Sequence, residues 1–139
     1  MEITEALAWA TGRRNGVLIT LRRDGRAQSS DIAYAVIGDT LKISVTHDRA
    51  KTRNIARDGR VILHITNPAA YSYVSIDATA ELSDVATAPD DGAVDELIEV
   101  YRAVAGEHDD WDEYRRAMVA DGRCVIRLTP NSVTGMING

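Results

Sequence analysis

The sequence has no apolar run approaching the roughly 18 residues that a membrane-spanning helix needs, and its first residues lack the charged-then-apolar layout of a secretory leader. A cytoplasmic chain without a membrane partner is expected. There is one cysteine, Cys124, which excludes an internal disulfide and a cysteine-rich zinc site. It lies in the apolar run Cys124-Val125-Ile126 and reads as a buried structural thiol. No Gly-x-Gly-x-x-Gly or Walker-type loop occurs, which sets aside the dinucleotide and P-loop folds. No Gly-x-Ser-x-Gly occurs, and Ser29 and Ser30 have no histidine near them in sequence, so nothing resembles a nucleophile–base pair. His47, His64 and His108 share no ligand spacing, and no metal site is expected. The carboxylates after His108 read as helix-start residues that satisfy backbone N–H groups and the dipole. There is no excess of positive charge either: the net charge is −5, which argues against a nucleic-acid partner.

What is present describes one ordinary domain over 1–139. Apolar residues make up 45% and charged residues 27%, and the length suffices to bury a core. A short helix is predicted over 4–11, capped by Thr4 and ended by Gly12. Strands follow over 17–21 and 27–37, joined by an Asp24-Gly25 hairpin turn, and over 41–45 after the turn at Gly38-Asp39. A helical segment reaches about Asp58, and a strand over 60–66 is broken by Asn67-Pro68. A long strand covers 71–82. The clearest helix is 92–105, with Val94, Leu97, Ile98, Tyr101 and Val104 on one face and Gly106 at its end. Another helix runs from Asp109 or Asp110 to Gly122, with Trp111, Tyr114 and Met118 on one side. Two strands, over 123–129 and 132–136 and interrupted by Pro130, close the chain. About seven strands joined mainly by hairpins fit an antiparallel closed or split β-barrel. The long, flat strand 71–82 is of the kind that pairs or packs across a dimer.

Within this layout the cations cluster, at Arg13/Arg14, at Arg22/Arg23/Arg26, and from Arg49 to Arg60. The densest group is Arg49-Ala50-Lys51-Thr52-Arg53-Asn54, at a strand-to-helix junction. A helix start carries unpaired N–H groups and a partial positive charge, so cations there disfavour the helix on its own. They become favourable if a phosphate sits at the junction, where N–H groups, guanidinium and ammonium all reach it. The competing reading is a solvated basic turn beside Asp48 and Asp58.

The order of strand, Asp24-Gly25 turn, strand with Gln28 and Ser30, strand ending Ser44-Val45-Thr46, then Arg49 to Asn54, resembles the split β-barrel flavin/deazaflavin oxidoreductases, relatives of pyridoxamine 5′-phosphate oxidase. The stretch from Tyr101 to Met118, with Gly106, Trp111 and Tyr114, is similar to the short actinobacterial branch that uses coenzyme F420. The resemblance covers essentially the whole chain. It implies an oxidoreductase and a homodimer with two cofactor sites at the subunit interface. By that likeness Arg49, Lys51 and Thr52 hold the phosphate, with Arg53 in the same basic run, and Asn54 steadies the loop. Val45 and Thr46 border the phosphate and the sugar-like chain, and Gln28, Ser30 and Asp31 lie beside the ring. Tyr71, Ser72, Tyr73 and Val74 of the other subunit complete the pocket. Asp31 stands where the resemblance implies an amide-like residue, and the loop at His47-Asp48 is shortened.

Three functions follow as alternatives. The first is an F420-dependent reductase acting on a small-molecule acceptor. The second is an FMN-dependent oxidase or reductase using the same phosphate cluster. The third is a non-catalytic cofactor-binding protein, including a haem-handling relative with His64 or His47 as axial ligand. No catalytic residue is assigned. Tyr34, Tyr71 and Tyr73 are candidate proton donors by residue type alone, with packing as the competing role.

Overall fold

The computed structural model describes residues 1–138. The elements in order are α1 (Ile3–Thr11), β1 (Asn15–Leu21), β2 (Ala27–Ala33), β3 (Ala35–Ile37), β4 (Thr40–Thr46), α2 (Ala50–Arg57), β5 (Arg60–Asn67), a short 3-10 turn at Pro68–Ala70, β6 (Ser72–Leu82), α3 (Gly92–Ala105), α4 (Trp111–Ala120) and β7 (Arg123–Met136). All strand pairs are antiparallel, in the order β2-β1-β5-β6-β7-β4-β3. The two edge strands of this seven-stranded sheet, β2 and β3, are separated in sequence only by Tyr34. One bent length of chain therefore forms both edges, and the sheet curls into a split barrel.

Alternate residues of the strands fill the inside. Leu18, Leu41, Ile43, Leu63, Ile65, Val74, Ile76, Ile126 and Leu128 are essentially without exposure and form one core with the inner face of α1. A second, smaller core lies under α3 and α4, where Val94, Leu97, Ile98, Val100, Tyr114 and Met118 pack on Ala35 and Val125. The Asp91 carboxylate caps α3 through Val94 N–H at 2.9 Å, and Asp110 caps α4 through Glu113 N–H at 3.1 Å. A charged network fastens α3 to the sheet. Glu96 accepts two bonds from the Arg127 guanidinium, at 2.7 and 2.8 Å, and pairs with Lys42 at 3.1 Å, while Lys42 also reaches Glu99 at 2.9 Å.

Three sequence expectations are corrected. The strand expected over 27–37 is two strands. At Tyr34 the backbone N–H turns to Arg14 C=O at 2.9 Å, and the buried hydroxyl donates to Ala10 C=O at 2.7 Å, so the chain leaves β1 and joins β4. The strands expected over 123–129 and 132–136 are one, β7. Ala78 pairs Pro130 and Asp77 pairs Ser132, leaving Asn131 as an extra residue, and a bulge tolerates a residue without an N–H. These two differences cancel in the strand count. Thr4 does not cap α1; Glu2 holds that position and makes no side-chain capping bond.

Candidate functional site

The split in the barrel is a cavity. β3 pairs β4 from Thr40 to Lys42, but beyond Tyr34 the bent strand has gone over to β1, and β4 runs on to Thr46 with β7 on its other side. Between the two diverging strands opens a space of about 630 Å³. Asp31, Ile32 and Ala33 form one lip, and Ile43 to Thr46 form the other. Tyr101 and Val104 of α3 with Tyr114 and Met118 of α4 wall it on one side, and Arg49, Lys51 and Arg123 stand at its end.

The cationic end is built by the junction between β4 and α2. Arg49 is the N-cap residue of α2, it makes no side-chain capping bond, and the first turn holds no acidic residue. Thr52 is buried, and its hydroxyl donates to Thr46 C=O at 2.9 Å, tying the end of β4 to the start of the helix. Asn54, also buried, donates to Thr20 Oγ1 at 3.0 Å and Gln28 Oε1 at 3.3 Å, and its carbonyl accepts from Arg57 at 3.0 Å. The junction is thus held rigid from below while Lys51 faces the cavity. Partial burial, with the Arg49 and Arg123 guanidiniums beside it, pulls the Lys51 ammonium below the ordinary lysine value. A lysine depressed first by burial and then by neighbouring cations in a cleft marks a candidate functional site, and the three cations together suit an anion.

The remaining expected residues divide. Asp31, Val45, Thr46, Arg49 and Lys51 line the cavity. Gln28 is turned to Asn54, Ser30 is not on the cavity wall, and Arg53 is exposed on α2. Tyr71, Ser72, Tyr73 and Val74 are not brought to this cavity within one protomer. Val74 is fully buried in the core, and the Ser72 hydroxyl accepts from Asn138 N–H at 2.8 Å. Tyr71 and Tyr73 are exposed and line a separate open groove with His64, Pro68 and Met136, where His64 stacks on Tyr73 at 5.5 Å.

Sequence reasoning missed Arg123, Tyr101, Tyr114 and Met118 as cavity residues. Arg123 enters because the β4–β7 register sets it opposite Thr46, a relation with no local signal. The helical residues were visible as an apolar face, but that face serves both the small core and the cavity. The Tyr114 hydroxyl donates to Leu97 C=O at 3.1 Å, and burial pushes its pKa up to about 12, so it acts as a fixed wall and not as an acid. Among the described residues no group of three or more His, Cys, Asp and Glu is arranged to hold a metal ion, and no helix is long and apolar enough to cross a membrane. The arrangement can hold a molecule with an anionic end against Lys51 and an apolar body between the strand lips and the aromatic wall.

Solved structures with this fold support different chemistries. An F420 reductase superposes with a TM-score of 0.66 at 24% identity, over 87% of this chain and 89% of that one. A conserved hypothetical protein from Mycobacterium tuberculosis gives 0.77 at 21% identity, over 97% and 84%. A haem-binding protein from Mycobacterium smegmatis gives 0.69 at 22% identity, over 96% of this chain and 53% of that one. At these identities the likeness is one of fold. The sequence model described as pyridoxamine 5′-phosphate oxidase matches residues 3–136, from the first residue of α1 to the last of β7. With the match spanning every element that builds the barrel and its cleft, the chain belongs to the pyridoxamine 5′-phosphate oxidase family.

Proposed function

We propose that this protein is a cytoplasmic, homodimeric oxidoreductase that binds coenzyme F420 in the cleft between β2 and β4 and reduces a small-molecule acceptor. The observation that carries the reading is the half-buried Lys51 that lines the cleft with the Arg49 and Arg123 guanidiniums near it, a cationic cluster that suits a phosphate. Reduced F420, when bound, supplies hydride from its deazaflavin ring to an electron-poor double bond or a similar acceptor. The protein's part is to bind and orient. Arg49 and Lys51 hold the phosphate, with Thr52 fixing the loop that carries them. Val45 and Thr46 border the chain that leads to the ring. Asp31, on the opposite lip, lies beside the ring, and the aromatic and aliphatic wall from α3 and α4 excludes water. The exposed groove at Tyr71 and Tyr73 fits the second subunit's contribution to the site. FMN carries a phosphate that the same cations would hold, so the discriminating measurement is affinity for each ring system.

Calorimetric titration with F420, FMN and haem tests the proposal. F420 is expected to bind tightest, while tight FMN binding with no F420 binding, or a Soret band on haem addition, overturns it. In the same experiment Lys51→Ala is expected to weaken F420 by roughly ten- to a hundredfold, because a charge-assisted contact contributes about 1.5–3 kcal/mol and each 1.4 kcal/mol is about a factor of ten. A solvated lysine predicts less than about a twofold change.

A further inference from the structure

We infer that Arg123 is a third ligand of the anion held by Arg49 and Lys51, reaching it from β7 instead of from the α2 junction. The inference rests on the proposed function for the presence of that anion, and it names a residue outside the basic run that suggested one. Arg123 is the first residue of β7, pairs with Thr46 at the end of β4, and lines the same cavity. Its guanidinium is under-engaged. Nη1 donates a long bond to Ser44 Oγ at 3.3 Å, and Nε is buried with no hydrogen-bond partner. The Asp121 carboxylate stands 3.9 Å from Nε, beyond hydrogen-bond range.

Arg127, four residues along the same strand, shows the contrast. Its Nε and Nη2 bond Glu96 at 2.8 and 2.7 Å, and its Nη1 reaches Glu81 at 3.3 Å. Arg127 is neutralised by two carboxylates in hydrogen-bond contact, whereas Arg123 has a single carboxylate near it, Asp121 at 3.9 Å, and a buried Nε with no partner. A guanidinium has five N–H donors in a rigid fork, and a buried donor left unpaired is unfavourable, so a ligand that accepts from it relieves that state. Charge gives the same answer. Arg49, Lys51 and Arg123 crowd one end of the cavity, where Asp121 and, on the far lip, Asp31 are the carboxylates in the lining. An anion gripped by an ammonium from α2 and a fork from β7 removes the mutual repulsion and ties the two elements together. Three cations suit a phosphate monoester dianion, or a phosphate with a second acidic group beside it.

The test titrates inorganic phosphate, FMN and F420 into the parent, Arg123→Gln, Arg123→Lys and Lys51→Ala. The expected result is a loss of about tenfold in Arg123→Gln for every phosphate-bearing probe the parent binds, and a smaller loss in Arg123→Lys. Two readouts separate a ligand from a merely structural residue. The Lys51 ammonium should titrate at higher pH in Arg123→Gln, because a neighbouring cation is gone. In the parent, the Arg123 Nε–H resonance, assigned by its absence in Arg123→Lys, should shift when inorganic phosphate is added. Unchanged affinity in Arg123→Gln beside a weakened Lys51→Ala, or a stationary Nε–H resonance, overturns the inference and leaves the anion site standing. A parent that binds none of the three probes overturns the site and the inference together.

Discussion

At the residue scale, the chain's two lysines are placed in opposite electrostatic settings. For Lys42 burial alone would pull the ammonium down, but hydrogen bonds to Glu99 and Glu96 outweigh it and hold it above the ordinary lysine value. Lys51 is pushed the other way by burial, Arg49 and Arg123. A two-signal lysine side-chain NMR spectrum should therefore titrate in a fixed order as pH rises, Lys51 first and Lys42 later. Saturating phosphate-bearing ligand should move the Lys51 titration upward and leave Lys42 in place. Coincident titrations, or a ligand that moves neither, would show that Lys51 does not feel the cavity. The value of Lys51 as a candidate was legible in the sequence because its neighbours in the chain are also its neighbours in space. Arg123 was not, since only the pairing of β4 with β7 brings it there. Thr52 and Asn54 were legible as members of a motif, but their bonds to Thr46, Thr20 and Gln28 depend on where other strands run.

At the element scale, α3 is the wall of the cleft that the sequence described best. Its spacing, its Gly106 stop and its start all follow from local rules, because a helix satisfies its backbone within itself. Glu96 ties it to the sheet through Arg127 and Lys42, and Asp91 fixes its start to the preceding loop. Asp91 accepts backbone N–H bonds from Thr87, Ala88 and Val94, and these hold its carboxyl well down, at about 2. Removing such a cap destabilises by roughly 1 kcal/mol. A carboxyl whose folded pKa lies below its unfolded value of 3.8 contributes stability that is fully present above the unfolded value and is lost as pH falls toward about 2. The stability difference between parent and Asp91→Ala in urea unfolding should thus be constant near neutral pH and shrink between pH about 4 and about 2. A difference that persists unchanged to pH 2 would remove the carboxylate from this role. The strands were less legible than α3, because their edges are decided by partners. The partner change at Tyr34 and the bulge at Asn131 are both tertiary events, and neither residue is a strong breaker by itself.

At the scale of the whole molecule, the exposed apolar groove at Tyr71, Tyr73 and Met136 is the surface the proposed dimer should cover. Sedimentation at micromolar concentration is expected to give a dimer, and Tyr73→Glu is expected to give a folded monomer with weakened cofactor binding. A parent that sediments as a monomer counts against the two-subunit site. A barrel was readable from the turn signals, but the strand order was not, and that order has a consequence for how the molecule is made. β7 is the last element of the barrel, yet it lies in the middle of the sheet, between β6 and β4. Until it is in place, β2-β1-β5-β6 and the β3–β4 hairpin are joined only through the bend at Tyr34 and through the α2 junction, and β4 has no strand on the side away from β3. The cleft is therefore complete only once β7 has docked between β6 and β4. Its formation waits on contacts between residues distant in sequence, which are slow to form, and cofactor loading is expected to follow the docking of β7 rather than precede it.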